Sequence, residues 1–170
     1  RVVMHPTVRR YLDQNTALLG EDWERRHARY YSKVVEQYQY LPLDRWPQID
    51  PEWGNIYRGA DWCAARVERL WQRPPIDLFA DPKADSQVLP LSPEAQQWLE
   101  DLRLARAYGM ALAHYAFWRH PPGIQHWLEA GAAAALALTD VRDYAWLQMN
   151  IGRQAFFTGQ VEAGVEWLKR

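Results

Sequence analysis

The stretch whose reading decides the fold is AWLQMNIGRQAFFTGQVEAGVEWLKR, Ala145 to Arg170. Gly152, Gly159 and Gly164 follow one another at offsets of seven and five, and Leu168 comes four residues later. Around them Leu147, Ile151, Ala155, Phe156, Val161, Val165 and Leu168 keep helical spacing. The pattern predicts two helices joined by a turn at Thr158-Gly159. Helices approach closely only where the facing side chains are small, so the glycines mark crossing points. One such hairpin cannot cover its own apolar face and needs neighbours to stack on.

The residues upstream supply those neighbours. Phe117, Trp127 and Leu128 recur as Phe157, Trp167 and Leu168, all at a separation of 40. That period falls in the range of helical-hairpin repeats. Thr139 or Asp140 caps the helix that ends near Phe157, and an alanine-rich helix over 124–138 precedes it after the Pro121-Pro122-Gly123 break. Ser92-Pro93 opens a long helix towards Trp118 by cap-then-proline chemistry. Its two apolar stripes, Trp98-Leu102-Ala105-Gly109-Leu112-Ala116 and Leu104-Tyr108-Ala111-Tyr115-Trp118, predict cover on both sides. Asp50 as N-cap with Pro51 starts a helix to Gln72, lined by Ile56, Ala60, Cys63, Val67 and Leu70. A helix over 21–38 carries the stripe Trp23, His27, Tyr30, Val34 and Tyr38, and Pro6 opens a first helix towards Asn15. No window alternates for long with period two, so no sheet is expected. The expected fold is all-α, a right-handed helical-hairpin solenoid of tetratricopeptide-repeat (TPR-like) type.

A chain of 170 residues that is 48% apolar and 14% aromatic can bury a sizeable core. Its ten tryptophans either fill gaps between short helices or line a ligand or partner surface. A net charge of −1 gives no global field to attract nucleic acid or an anionic membrane. Cys63, the lone cysteine, cannot form an internal disulfide, and no apolar run approaches the ~20 residues of a membrane span. With no secretion signal at the start, these features fit the cytoplasm. The chain begins at Arg1 and ends on Trp167-Leu168-Lys169-Arg170 without a helix-stop residue, which suggests a piece of a larger protein.

Three segments, in order, resemble one family. Val3 to Leu12, VMHPTVRRYL, is similar to the close of the winged-helix domain in STAND-type signal-transduction ATPases with NB-ARC modules. There a methionine-histidine-aspartate motif, often histidine-proline in bacterial members, precedes a leucine-rich helix. Arg26 to Tyr31, RHARYY, resembles the helix that follows the winged helix. Glu52 to Trp62, EWGNIYRGADW, resembles the helix that leads into tetratricopeptide-like repeats. The resemblance divides the chain into 1–18, the end of a winged helix; 19–91, a helical linker region with a proline-rich loop at 73–91; and 92–170, the repeats. It implies ATP or ADP bound upstream, a switch between closed and open forms, and a helical array that senses a protein or peptide partner. Ligand-driven oligomers would form through regions outside this chain. It also implies that His5 reaches the nucleotide β-phosphate in the resting state of the intact protein, with Pro6 standing where the aspartate would be.

Within the chain itself no phosphate-cradling glycine loop with lysine occurs, so no cofactor is expected here. His114, His120 and His126 are six apart, which places successive members about 120° apart on a helix; they and Glu129 read as surface or cap residues, with no metal expected. His27 reads as a partly buried structural histidine. Asp22/Glu24 and Glu100/Asp101 read as carboxylates in solvated helix turns, not as an acid–base pair. The Arg9-Arg10 and Arg25-Arg26 pairs are balanced by nearby acids and do not make a nucleic-acid site. The expectation is therefore a non-catalytic sensor or linker whose partner contacts are exposed aromatics, Tyr108, Tyr115, Trp118 and Trp146. The alternative is a helical module that stacks a small molecule in an aromatic-lined groove, and a third reading is an enzyme with an unrecognised helical site.

Overall fold

The computed structural model describes residues 6–72 and 92–168. His5, the stub before it and the proline-rich loop at 73–91 lie outside the described residues. All regular elements among them are helical: α1 (Pro6–Glu36), α2 (Trp53–Gln72), α3 (Pro93–Arg119), α4 (Ile124–Ala137), α5 (Val141–Phe157) and α6 (Val161–Leu168). Two short 3-10 turns, Leu43–Gln48 and Asp50–Glu52, connect α1 to α2.

Local chemistry sets the boundaries. Gly20, at φ 68° and ψ 174°, interrupts α1 and starts a new helical run at Glu21. Ser92 caps α3, its Oγ accepting from the Ala95 N–H at 3.1 Å. Asp140 caps α5 in the same way through Asp143 N–H at 3.2 Å. The α5–α6 turn closes with Gln160 N–H on Ala155 O at 2.8 Å, with Gly159 at φ 83°. The α4–α5 turn closes alike, with Asp140 N–H on Ala135 O at 2.9 Å and Thr139 at φ 58°; both are Schellman-type ends. Asp50 is not the side-chain cap expected of it. Pro51 tightens the first turn into a 3-10 turn, closed by Glu52 N–H on Ile49 O, and the Asp50 carboxylate points instead towards Arg119 at 3.9 Å.

Each helix packs on the next, from α1 to α6, and α1 on α3, α2 on α4 and α3 on α5 as well. α3 thus touches four helices, and the boundary expected near residue 91 falls between elements that pack on each other. α6 packs on α5 alone among the described residues. The buried line of α1 is Arg25, Ala28, Ser32 and Val35, whereas Tyr30 of the expected stripe is exposed. Small residues win there because α1 and α2 come close: a Cβ at Gly59 would lie 3.5 Å from Ala28 Cα and would collide with the Tyr108 hydroxyl. Tryptophans do fill gaps. Trp46, Trp98 and Trp127 are buried, and Trp127 Nε1–H donates to Asp61 Oδ1 at 2.7 Å.

α3 and α4 cross at Gly109 and Gly131, where a Cβ on either would lie 3.1 Å from the other's Cα. Gly109→Ala is expected to destabilise the protein by about 1–3 kcal/mol in urea unfolding. Gly54→Ala, with open space around it in α2, is expected to stabilise by about 0.5 kcal/mol through helix propensity. A stabilised Gly109→Ala variant would contradict the crossing.

Candidate interaction surface

Asp101 of α3 is fully buried. Its Oδ1 accepts from Arg25 Nε at 2.7 Å, and its Oδ2 accepts from Arg66 Nε at 2.8 Å and Arg25 Nη2 at 3.2 Å. Arg66 continues to Glu21 at 3.0 Å and Arg25 to Asp22 at 3.3 Å. Burial opposes the Arg25 charge, but the hydrogen bond and charge of Asp101 outweigh it and hold the guanidinium above its usual value. The solvated turn expected for Glu100/Asp101 is therefore corrected. One residue on a helix turns about 100°, so Glu100 faces outward to Arg29 at 2.6 Å while Asp101 faces the α1/α2 junction.

Over this junction α1 and α3 leave an open groove of about 700 Å³. Arg29, Lys33 and Glu36 line it from α1, and Glu100, Arg103 and Arg106 from α3. A second hollow continues it towards Asp22, Arg26 and Gln97. Arg106 ties the α5 start to α3 through Asp140 and through Asp143 at 2.8 Å. Lys33 and Arg103 have no ion-pair partner among the described residues. The groove is open, and its charged rim surrounds an apolar floor that includes Leu104, Ala107 and Leu138.

The aromatics expected to be exposed do not form one surface. Tyr108 is buried, and its hydroxyl donates to Ala28 O at 3.0 Å. Burial, then the neighbouring Cys63 and Tyr31, push its pKa far up. Tyr115 is buried too, against Trp53 and Trp46 at ring distances of 4.9 and 5.5 Å. Both are core residues because α2 and the 3-10 turns cover the second stripe of α3, which corrects the expectation that they are exposed. Trp146 is half-buried, with its Nε1–H buried and without an acceptor. Trp118 alone of the four is substantially exposed, at 51%.

Trp118 belongs to a group that the sequence reading did not single out. It packs edge-on against Phe117 at 4.8 Å, and Phe117 packs edge-on against Phe157 at 4.8 Å. The Arg153 guanidinium lies 4.2 Å above the Phe117 ring. Phe156 and Phe157 are both exposed. The 40-residue recurrence of Phe117 as Phe157 is the signal in the sequence for this pair.

The histidines stand apart. His120 Nδ1 pairs with Gln154 Nε2 at 2.9 Å, and His126 lies 3.7 Å from Glu68. Among the described residues no group of three His, Cys, Asp or Glu side chains is placed to hold a metal. His27 stacks between Trp23 at 5.3 Å and Tyr31 at 4.7 Å. Burial and then Arg58 lower its pKa, against smaller opposing effects of Glu24 and Asn55.

Among the described residues no helix is long and apolar enough to cross a membrane. Comparisons with family models, curated proteins and solved structures find no match for this chain.

Two outcomes follow from these environments. Asp101→Ala leaves Arg25 buried without its partner and is expected to cost about 3–5 kcal/mol in chemical unfolding; a loss under about 1 kcal/mol would mean the pair is dispensable. For His27 the folded pKa lies below the unfolded value of about 6.5, so its contribution is complete above that value and is lost as pH falls through the lowered folded value. The thermal midpoint of the protein should therefore drop between about pH 7 and pH 5, and His27→Gln should drop less. Equal drops in the two proteins would exclude this role.

Proposed function

We propose that the chain is a non-catalytic helical sensor and linker. It joins the winged helix of a nucleotide-dependent switch of the STAND/NB-ARC kind to a right-handed, TPR-like solenoid that binds a protein or peptide partner. The observation that carries the reading is the recurrence in helix contacts. Successive helices pack on one another, and α1, α2 and α3 each pack on the next but one as well, as stacked hairpins do. In two of the hairpins, α3/α4 and α5/α6, the helices approach at a pair of glycines, Gly109 with Gly131 and Gly152 with Gly164. The order of the three family-like segments from Val3 to Trp62 supports the switch half of the reading.

In this reading the α1/α3 groove is the recognition surface, and Lys33 and Arg103 are its available cations. A partner that prefers one state of the switch shifts the balance by its difference in affinity for the two states. Burial of Tyr108 and Tyr115 leaves Trp118 as the exposed member of the four aromatics expected at the partner surface.

The test is made on the complete protein. Its reading frame should hold a glycine-rich phosphate loop ending in Lys-Ser or Lys-Thr ahead of Arg1. His5→Ala should weaken ADP binding about tenfold or more in calorimetry, the value of one hydrogen bond to a charged group. A reading frame without that loop, or unchanged ADP affinity, would overturn the switch assignment.

A further inference from the structure

Along the α1/α3 groove the charges of the two walls match at one level and fail to match at the next. Arg25 of α1 meets Asp101 of α3, and Gln39, just past α1, donates from Nε2 to Met110 O at 3.4 Å. The two helices therefore run in the same direction, and residues one turn further on in both stand at a similar level. At the first level Arg29 bridges to Glu100 at 2.6 Å and ties wall to wall. Four residues on along α1 stands Lys33, and three residues on along α3 stands Arg103. Both line the groove, both are exposed, and neither has an ion-pair partner among the described residues.

Two cations on opposite walls cannot bridge the groove as Arg29 and Glu100 do. The next cation along α3 does not relieve them, because Arg106 is already held by Asp140 and Asp143. The chain has 20 basic and 21 acidic residues, so this local surplus comes from the arrangement of the side chains and not from composition. Both walls belong to the body of the fold: α1 packs on α2 and α3, and α3 packs on four helices. The same rim surrounds the apolar floor of Leu104, Ala107 and Leu138. An occupant complementary to all of this carries negative charge on both sides and an apolar side chain between. Nucleic acid supplies the charge without an aliphatic group, and a net charge of −1 gives it no long-range attraction.

We infer that the groove takes an acidic segment of a protein partner, a short run of aspartate or glutamate around one aliphatic residue. Carboxylates of the run pair with Lys33 from one wall and Arg103 from the other, and the aliphatic side chain rests on Leu104, Ala107 and Leu138. Glu36, three residues beyond Lys33 on the same rim, repels the run and sets its limit at that end. The inference rests on the reading of this groove as the recognition surface and does not need the nucleotide switch.

The probe is a fluorescein-labelled synthetic peptide, a central leucine flanked on each side by glutamates, titrated into the whole 170-residue protein with anisotropy as readout. Saturable binding is expected, weaker by about fivefold between about 0.05 and 0.5 M salt. Lys33→Glu with Arg103→Glu should weaken it by about tenfold or more, and should raise the affinity of the same peptide made with lysines. Should the double reversal disturb the fold, Lys33→Gln with Arg103→Gln gives the readout without new like charges, and a loss of about threefold or more is expected. Serine for the leucine should cost about fivefold or more. Absence of saturation, or binding indifferent to Lys33 and Arg103, would overturn the acidic occupant. So would tighter binding of an oligothymidylate of equal charge, or self-association abolished by the double reversal without peptide binding. Ala107→Gln, which puts a neutral bulky side chain over the floor, separates this failure from failure of the groove. A glutamine version of the peptide that binds as well as the acidic one and is blocked by Ala107→Gln keeps the groove and refutes only the acidity. Acidic-peptide binding that ignores Ala107→Gln, Lys33 and Arg103 alike refutes both.

Discussion

The constraint on which the rest depends is the approach of α3 and α4 at Gly109 and Gly131. With no Cβ on either side, the backbones come near enough that Leu147 of α5 touches both positions at once. That contact puts α5 over two helices rather than one, and so sets the step from one hairpin to the next. A β-carbon at the crossing would push α4 outward, separate it from α5 and remove the floor under Leu147, which is fully buried. Apolar burial supplies the driving force, but it is not directional. The glycines convert it into a particular geometry.

The other end of the molecule is fixed by charge. Asp101 sits where α1, α2 and α3 meet and binds an arginine from each of the first two. Removing three charges from water costs several kcal/mol per ion, and mutual attraction offsets this only when the hydrogen bonds are well formed. The gain is in specificity: an apolar junction tolerates slippage of one helix along another, while a carboxylate held between two guanidiniums at 2.7 and 2.8 Å does not. The groove above it inherits that rigidity, because Arg29 and Glu100 extend from the same turns of α1 and α3.

Most helices were legible because periodicity, caps and prolines agree at their boundaries, the start of α2 at Asp50 being the exception. Ser92-Pro93, Asp140 and Thr158-Gly159 act as their chemistry predicts. Facing was less legible. Tyr30 and Tyr108 are both apolar members of helical stripes, yet one is exposed and the other buried. Which stripe is covered depends on partners distant in sequence, and Ala28 and Gly59 decide it by being small. Asp101 was hidden for a related reason. An acid beside another acid on a helix reads as solvated, and only the third dimension brings Arg25 and Arg66 to it. Phe156 and Val161 show the opposite effect: they keep core-like spacing and are exposed.

In the proposed reading the α1/α3 groove recognises its partner through charge. Charges lining an open groove act through water, and salt screens them over a length of about 8 Å at physiological ionic strength. Contacts at Lys33 and Arg103 would therefore govern encounter rate and selectivity more than residence. Arg106 lines the same groove and holds Asp140 and Asp143 at the start of α5, so a shift of the groove's α3 wall reaches α5 through a side chain of the groove itself.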